Sequence, residues 1–257
     1  RQQNKNYKEG RKPIRVNRPN NLTPEQQREN MVWQQVRLIE YLNELPVIQF
    51  RFDEIEADDI ISYVSRLQQY DGWQKVIVSN DKDFIQLCDD ETVLLRPTQK
   101  VVHNKVNVVD DFNIHPRNFA VARAIAGDAS DNLVGVPRAG LKSIAKNLNF
   151  LREDKDVTLH EVFDFCENTD SKAKFFTNIL EHKDIVISNY KLMQLYAPAI
   201  SLQSQEKVHY ALNNFEHDYN KTEILRMMNQ DGFGVFNWED LHGTMNKICI
   251  DKALREE

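Results

Sequence analysis

The sequence has few cysteines, no long apolar run and no overall excess of positive charge. Its three cysteines, Cys88, Cys166 and Cys249, are widely spaced and odd in number, which fits neither a disulfide framework nor a zinc cluster. This cysteine usage predicts a reducing, cytoplasmic location. No stretch approaches the roughly 20 apolar residues that span a bilayer, and no charged-then-apolar signal peptide opens the chain. We therefore expect no membrane partner.

The net charge of −6, taken alone, disfavours a nucleic-acid partner. The distribution of charge along the chain does not. Residues 1–20 carry seven basic side chains and one acidic side chain, a local charge of +6, so the rest of the chain carries −12. A basic arm on an acidic body would grip phosphates, with metal ions neutralising some of the acids. The alternative is a solvated terminal segment without a partner.

Alternation of short apolar runs with helical patterns predicts an α/β fold in the first half of the chain. Thr23-Pro24-Glu25-Gln26 has a cap, a proline at the first helical position and a capping-box glutamine, so we expect a helix from there to about Leu45. Strands are predicted at 47–52, 75–79, 93–95 and 100–103, and helices at 57–70 and 83–87. This order predicts a parallel central sheet flanked by helices. The run at 75–79 is typical of a strand buried on both faces.

Helices dominate the prediction from about Val109 onward. The predicted helices are 116–126, 142–149, 159–166, 171–182, 221–229 and 238–248. The second half of the chain is therefore expected to be a helical region.

Three acidic clusters fall where predicted strands end or helices begin. They are Glu56 with Asp58 and Asp59, Asp81 with Asp83, and Asp128 with Asp131. Ligands of an open α/β sheet gather outside the carboxyl ends of its strands, and two clusters occupy such positions. Viewed alone, an acidic pair at a helix start is usually a cap or a dipole partner. The coincidence of three clusters favours a shared site.

Seven converging carboxylates need positive charge among them. Like charges about 4 Å apart repel by roughly 4 kcal/mol at an effective dielectric of 20. Hard oxygen ligands without histidine or cysteine favour Mg²⁺ or Mn²⁺. Two such ions about 3.5–4 Å apart can activate a water and stabilise the leaving oxygen in phosphodiester cleavage. The clusters therefore predict a site for two divalent ions.

The segment 127–142 places the third acidic cluster beside a turn rich in glycine and proline. Gly135, Pro137, Gly140 and Lys142 follow Asp131, and a helix-forming run follows at once. Backbone amides and a lysine at such a turn would hold a phosphate. One short segment thus has groups for touching a nucleic-acid backbone and for cutting it.

Several segments together resemble one family. They are EADDIISYV (56–64), VIVSNDKDFIQL (76–87) and AIAGDASDNLVGVPRAGLKSIAKNL (124–148), with NYKEGRK (6–12) and, more weakly, KDIVISNYKLMQL (183–195). In order and spacing they are similar to the 5′-nuclease family, which includes phage flap endonucleases and exonucleases and the 5′-nuclease domain of bacterial DNA polymerase I. The absence of a polymerase region favours the stand-alone phage type, in an infected or bacterial cell.

The resemblance implies a PIN-like 5′-nuclease core with a helix–three-turn–helix and a helical C-terminal region. It divides the chain into a basic helical-arch segment at 1–24, an α/β nuclease core at 25–126, and the helix–three-turn–helix with the C-terminal helices at 127–257. The family begins with a buried strand that carries an aspartate, and a later strand supplies another. This chain starts at the arch, so we expect the core to be incomplete at its N-terminus. A companion segment would then supply the missing aspartates.

The resemblance also assigns roles to residues. The metal ligands would be Glu56, Asp58, Asp59, Asp81, Asp83, Asp128 and Asp131. Asp81 and Asp83, with Asp128 and Asp131, would serve mainly the second metal ion. Lys8 and Arg11 match arch cations that contact the scissile phosphate, so the catalytic residues would be Lys8, Arg11, Asp81 and Asp83.

The arch and the turn would together bind DNA. The implied DNA-binding residues are Lys5, Tyr7, Lys8, Arg11, Lys12, Gly135, Arg138, Gly140 and Lys142. The turn would hold the downstream duplex without reading its sequence, with a K⁺ ion on its carbonyl oxygens. The family usually has Gly-Ile-Gly where this chain has Arg138-Ala139-Gly140. Arg138 would add a phosphate contact at the expense of the backbone freedom of a glycine.

The leading interpretation is a metal-dependent, structure-specific 5′-nuclease, a 5′-3′ exonuclease or flap endonuclease. It would hydrolyse phosphodiesters of DNA or RNA–DNA hybrids at single-strand/duplex junctions, in replication and primer removal. Its partners would be branched or 5′-ended duplex DNA and replication proteins. The alternative is a catalytically incomplete DNA-binding module that recognises branched duplexes through the helix–three-turn–helix. A PIN-type ribonuclease is a weaker interpretation, because that group lacks this motif.

Overall fold

The computed structural model describes residues 22–216, 218–232 and 237–253. The described residues divide into two compact units, one formed by residues 54–200 and one by 22–53 together with those from 201 onward. The domain boundaries that the sequence suggests remain a prediction. No helix in the described part of the chain is long and apolar enough to cross a membrane.

Helices make up most of the described structure. In chain order they are α1 (Pro24–Asn43), α2 (Ala57–Ser65), α3 (Lys105–Phe112), α4 (Pro116–Ala126), α5 (Leu141–Asn147), α6 (Leu159–Asn168), α7 (Lys174–Glu181), α8 (Lys183–Met193), α9 (Leu202–Asn213), α10 (Lys221–Gln230) and α11 (Trp238–Ala253). Short 3₁₀ turns lie at Gln68–Tyr70, Asp83–Leu87, Ala129–Asp131 and Asn149–Arg152. The strands are β1 (Lys75–Val78), β2 (Thr92–Arg96) and β3 (Val101–His103). The predicted helical C-terminal region is confirmed.

The described sheet has the order β1-β2-β3 and is mixed. β1 and β2 run parallel, with Lys75 opposite Thr92, as predicted. β3 pairs antiparallel with β2, with Leu94 opposite His103, so the expectation of a wholly parallel sheet is wrong for this strand. Only residues 97–100 connect β2 to β3, which is enough for a hairpin return but too short for a parallel crossover.

Burial of β1 also differs from the prediction. Ile77 is buried, but Val76 and Val78 are 54% and 63% exposed. The strand therefore buries one face and not both. An uninterrupted apolar run does not distinguish a strand covered on both sides from one that pairs with a single neighbour at the edge of the described sheet.

The predicted strand at 47–52 does not form. The segment runs in irregular structure, where Gln49 Nε2 donates to Asn43 Oδ1 at 2.8 Å and the rings of Phe50 and Phe52 stack 6.2 Å apart. Alternating hydrophobicity indicates a strand only where a partner strand completes its backbone hydrogen bonds. The sequence pattern holds no information about that partner.

The core of the first unit is built around α4. Nearly all of α4 is buried, including Phe119 and Ile125, which are 0% exposed. Buried side chains of α5 to α8 and of the strands belong to the same apolar cluster. The acidic cluster at 128–131 follows α4 in the sequence, and the cluster at 81–83 lies beside α4 in space. Helix α4 therefore fixes the positions of both clusters.

In the second unit, α1 begins as predicted but is held by polar contacts. The Thr23 hydroxyl accepts from the Gln26 N–H, and the Gln26 side-chain oxygen accepts from the Thr23 N–H, which confirms the capping box. None of its residues is buried, and several of its large apolar side chains, such as Val32 and Leu38, are exposed. Arg37 Nε donates to Asp231 at 2.8 Å, and the Tyr41 hydroxyl donates to the same carboxylate at 2.6 Å.

Candidate metal and DNA-binding site

The second acidic cluster lies directly after the carboxyl end of β1, as predicted. Asp81 N–H donates to the Ser79 hydroxyl at 3.1 Å, and Asp83 N–H donates to Asp81 Oδ1 at 2.9 Å. These short-range bonds turn the chain out of the strand and start the 3₁₀ turn at Asp83–Leu87. The Asp81 carboxylate therefore has a local structural task as well as its predicted role.

The third acidic cluster begins where α4 ends. Gly127 ends the helix with a φ of 74°, and Asp128 and Leu133 then exchange backbone hydrogen bonds of 2.8 Å in both directions. Asp128 Oδ1 accepts from the Ser130 N–H at 2.8 Å and from its hydroxyl at 2.6 Å. Asp131, in the 3₁₀ turn of this small loop, is 6% exposed. The loop thus holds both predicted acids of this cluster at the end of α4.

Arg123 joins the second and third clusters. Its Nε donates to Asp83 Oδ1 at 3.0 Å, and its Nη2 donates to Asp128 Oδ2. The side chains of all three residues are less than one-fifth exposed. The structure therefore brings these two predicted clusters together through a buried cation that the sequence interpretation missed. A single arginine in the otherwise apolar stretch of α4 before Asp128 was the available signal.

The electrostatics of this group are dominated by burial. Burial raises the pKa of Asp83 to about 6, against the opposing effect of Arg123 and with the help of the negative charges of Asp81 and Asp128. Burial alone would raise the pKa of Asp128, but hydrogen bonds from Ser130 and the charge of Arg123 lower it. Burial disfavours the charged guanidinium of Arg123, but the two carboxylates outweigh it and raise its pKa. The charge of Arg123 therefore does not offset the effect of burial on the pKa of Asp83.

The first acidic cluster lies at the start of α2. Glu56 is the N-cap residue, and Asp58 and Asp59 lie in the first turn of the helix; all three are half-buried. Within the described residues, no three histidine, cysteine, aspartate or glutamate side chains are grouped so as to hold a metal ion. Convergence of all three clusters therefore remains a prediction. Lys5, Tyr7, Lys8, Arg11 and Lys12 lie outside the described residues.

The turn between α4 and α5 folds back on the end of α4. Val136 N–H donates to the Ile125 carbonyl oxygen at 2.8 Å, and the backbone of Gly135 lies against that of Ala126 so closely that a Cβ on Gly135 would come within 1.9 Å of the Ala126 carbonyl oxygen. Gly140 caps α5 with a φ of −70°. The side chains of Arg138 and Lys142 are exposed near this turn, where a phosphate could reach them.

Arg138 adopts the left-handed backbone conformation that its sequence motif would leave to glycine. Its φ is 64°, a region that costs an L-residue about 1–2 kcal/mol. The turn therefore keeps this backbone geometry although the residue is an arginine, and the strained conformation lowers the stability of the fold.

Replacing Arg138 by glycine is expected to raise the free energy of unfolding by about 0.5–1 kcal/mol. Relief of the left-handed strain exceeds the added entropy of glycine in the unfolded chain. Urea unfolding of the two proteins measures the difference. A lower midpoint for Arg138→Gly would contradict the strain at this position.

Asn189 of α8 fixes the turn from its other side. This residue is 4% exposed, and its Nδ2 donates to the carbonyl oxygens of Ala124 at 3.0 Å and Val134 at 2.9 Å. It therefore ties the last turn of α4 to the residues that follow Asp131. The sequence interpretation gave no role to this asparagine.

Substitution Asn189→Ala is expected to lower the free energy of unfolding by about 1–3 kcal/mol, because one buried and one partly buried carbonyl oxygen lose their donor. Asn168→Ala is a matched control, since the exposed Asn168 donates to the Asp164 carbonyl oxygen within its own helix, α6. Thermal unfolding should separate the two variants. Equal stabilities would show that Asn189 does not hold the turn.

The fold is that of a phage 5′-nuclease. The T5 D15 flap endonuclease (D155K), solved as a pseudo-enzyme-product complex with DNA and metal ions, aligns with a TM-score of 0.58 at 18% identity, covering 80% of this chain and 70% of that one. T5 5′-exonuclease with bound zinc aligns with a TM-score of 0.60 at 18% identity, covering 76% and 72%. These alignments confirm the predicted architecture.

Sequence comparison finds relatives among 5′-3′ exonucleases and bacterial DNA polymerases I. Residues 1–114 match the model of the 5′-3′ exonuclease N-terminal resolvase-like domain. The 5′-3′ exonuclease of Buchnera aphidicola (Schizaphis graminum) is 34% identical over 115 residues, 44% of this chain and 40% of that protein. DNA polymerase I of Streptococcus pneumoniae R6 is 32% identical over 130 residues, 49% of this chain and 14% of that protein. The chain thus spans less than half the length of these relatives. These matches support the resemblance to the 5′-nuclease family that the motifs predict.

Proposed function

We propose that the chain is a metal-dependent, structure-specific 5′-nuclease that hydrolyses phosphodiesters of DNA or RNA–DNA hybrids at single-strand/duplex junctions. The observation that carries the proposal is the meeting of Asp83 and Asp128. They come from different acidic clusters, beside the carboxyl end of β1 and beside the turn at 133–142. A cutting site and a phosphate-gripping turn would then be neighbours in one unit.

The donor set fits a divalent ion. Asp81, Asp83, Asp128 and Asp131 offer hard oxygen ligands, which suit Mg²⁺ or Mn²⁺. Arg123 is a cation shared by Asp83 and Asp128, and burial nevertheless raises the pKa of Asp83 to about 6. Additional positive charge would therefore be favourable here. These four carboxylates would serve mainly the second metal ion, and Glu56, Asp58 and Asp59 would serve mainly the first ion or the region that the two ions share. Such ions supply charge neutralisation and an activated water when bound.

The remaining residues would bind and orient the substrate. Lys8 and Arg11 would contact the scissile phosphate and stabilise charge on its oxygens. Lys5, Tyr7 and Lys12 would hold the single strand, with Tyr7 stacking on a base. The backbone amides around Gly135 and Gly140, with Arg138 and Lys142, would grip duplex phosphates. A K⁺ ion on the turn carbonyls would assist.

Support for DNA as the substrate comes from the relatives' names, a DNA polymerase and 5′-3′ exonucleases, and from the DNA bound to the T5 flap endonuclease. The role we propose is flap processing and primer removal in replication, in the cytoplasm of a bacterial or phage-infected cell and beside replication proteins.

The second candidate is a DNA-binding module that does not cut. Arg123 favours it, because its guanidinium takes carboxylate oxygens of Asp83 and Asp128 that a metal ion would use. Such a module would bind branched duplexes through the turn at 133–142 with its acids serving only to hold Arg123.

The substrate preference tests the leading proposal. In Mg²⁺ or Mn²⁺, the protein should cut a 5′-flap duplex near the junction and leave a 5′-phosphate and a 3′-hydroxyl. A 3′-flap duplex of the same sequences and a blunt duplex serve as controls and should be cut much more slowly. Equal cutting of all three would remove structure specificity from the proposal.

A further inference from the structure

Arg123 is a charged side chain in a place that disfavours charge. It lies in α4 next to the buried residues Ala122 and Ala124, and its side chain is 12% exposed. Removing a guanidinium from water is costly unless its partners and hydrogen bonds compensate. Here the compensation comes from Asp83 and Asp128, which belong to different parts of the chain.

The guanidinium of Arg123 contacts the two carboxylates through different nitrogen atoms. Nε donates to Asp83 Oδ1 at 3.0 Å, Nη2 donates to Asp128 Oδ2, and Nη1 lies 3.5 Å from the Gly127 carbonyl oxygen. The planar fork of arginine suits this bridging geometry, and the single ammonium of lysine does not. Arg123 therefore sets the distance between the two acids.

The two carboxylates that Arg123 contacts, Asp83 and Asp128, belong to the proposed metal site. The other oxygen of Asp128, Oδ1, accepts two hydrogen bonds from Ser130. A divalent ion that coordinates Asp128 must share Oδ2 with the guanidinium or displace one of these donors. A cation close to the guanidinium would also be repelled by it, and the partly buried setting weakens the screening of that repulsion.

We propose that Arg123 is a built-in counter-cation that holds Asp83 and Asp128 together and competes with the divalent ion for them. Because the guanidinium repels a divalent ion at this pair, metal binding then favours its withdrawal from at least one carboxylate. The inference rests on the proposed metal site and adds to it a residue that lowers the metal affinity. The chain would thereby keep its buried acids neutralised before the metal binds.

The first test is direct binding of Mn²⁺ to the full 257-residue chain, followed by the electron paramagnetic resonance signal of the free ion. Arg123→Gln should bind Mn²⁺ at least about tenfold more tightly than the unsubstituted protein, since a competing charge is removed. Arg117→Gln is the matched control. Arg117 is an exposed arginine of the same helix that pairs with Asp154 and Asp156, so its loss should leave the affinity unchanged.

A second measurement uses the unsubstituted protein, so it does not depend on whether a variant of Arg123 folds. The Nε–H resonance of Arg123 in the unsubstituted protein should shift as diamagnetic Mg²⁺ is added, and its exchange with water should accelerate as Asp83 is released. The Nε–H resonance of Arg117 should stay in place. An Arg123 resonance that is unchanged at saturating Mg²⁺ would overturn the proposal.

The outcomes separate this inference from the proposed function. If neither the unsubstituted protein nor Arg123→Gln binds Mn²⁺, the metal site is absent and the competition falls with it. If the unsubstituted protein binds Mn²⁺ and Arg123→Gln binds it equally or more weakly, the metal site stands and only the competition is refuted. Weaker binding would mean that Arg123 positions the carboxylates for the metal instead of competing with it.

Discussion

The double substitution Asp81→Asn and Asp83→Asn is expected to reduce cleavage of a 5′-flap substrate by about a thousandfold or more. Both carboxylates belong to the proposed second-metal set, and an amide oxygen is a much weaker ligand for a divalent ion than a carboxylate. Affinity for the uncut duplex should change by no more than about twofold, because phosphate contacts come from the arch and the turn. Single-turnover kinetics with divalent ions measure the cleavage rate. Binding measured without divalent ions gives the affinity for the uncut duplex.

Asparagine is suitable here because it preserves the local hydrogen bonds. The amide oxygen at position 81 can still accept from the backbone N–H of residue 83, and that at position 83 can still accept from Arg123. Burial raises the pKa of Asp83 to about 6, so a neutral side chain is less costly here than at an exposed aspartate. The variant should therefore fold, and lost cleavage would report on the metal site.

A control variant makes the same change of charge elsewhere in the first unit. Asp110 and Asp170 are exposed residues that lie outside the three acidic clusters. Replacing both by asparagine should leave cleavage within about twofold of the unsubstituted protein, because neither would touch the metal or the substrate. Undiminished cleavage by the Asp81/Asp83 variant would remove those two residues from the metal site.

Gly135→Ala is expected to lower the free energy of unfolding by about 3 kcal/mol or more. The added Cβ would lie 1.9 Å from the Ala126 carbonyl oxygen and 2.8 Å from the Gly127 backbone nitrogen. Both are backbone atoms, which no rotamer change can move aside. The turn would have to detach from the end of α4. For a chain of this size the melting temperature should fall by about 6 °C or more.

Gly140→Ala is the matched control for this turn. Its φ is −70°, which alanine adopts readily, and a Cβ there meets no atom within 4 Å. Its stability should stay within about 1 kcal/mol of the unsubstituted protein. Similar melting temperatures for the two alanine variants would contradict the close packing of Gly135 against α4.

Local signals in the sequence predicted much of the fold. The Thr23 capping box located the start of α1, and α4 has the bounds that its apolar pattern indicates. Helix α3 was missed, although Asn104 and Asn107 form a capping box at its start. Caps and periodicity depend on residues within one turn of each other, so a sequence displays them directly.

Features that depend on distant partners were not predictable in this way. The segment 47–52 alternates like a strand but has no strand partner in the structure, and β3 reverses direction because its connection is short. The positions of Asp83 and Asp128 beside each other depend on Arg123, which pairs with residues 40 and five positions away. A motif identifies the acids, but only the fold shows which cation lies between them.

Cleavage of a labelled 5′-flap duplex during a Mn²⁺ titration tests the central claim most directly. Binding of the same duplex is followed in parallel by fluorescence anisotropy. A metal-dependent 5′-nuclease should release the flap near the junction, at a rate that rises with Mn²⁺ from none in chelator and then saturates. A protein that binds the flap duplex tightly but leaves it intact at every Mn²⁺ concentration would contradict the proposed nuclease and support the DNA-binding module.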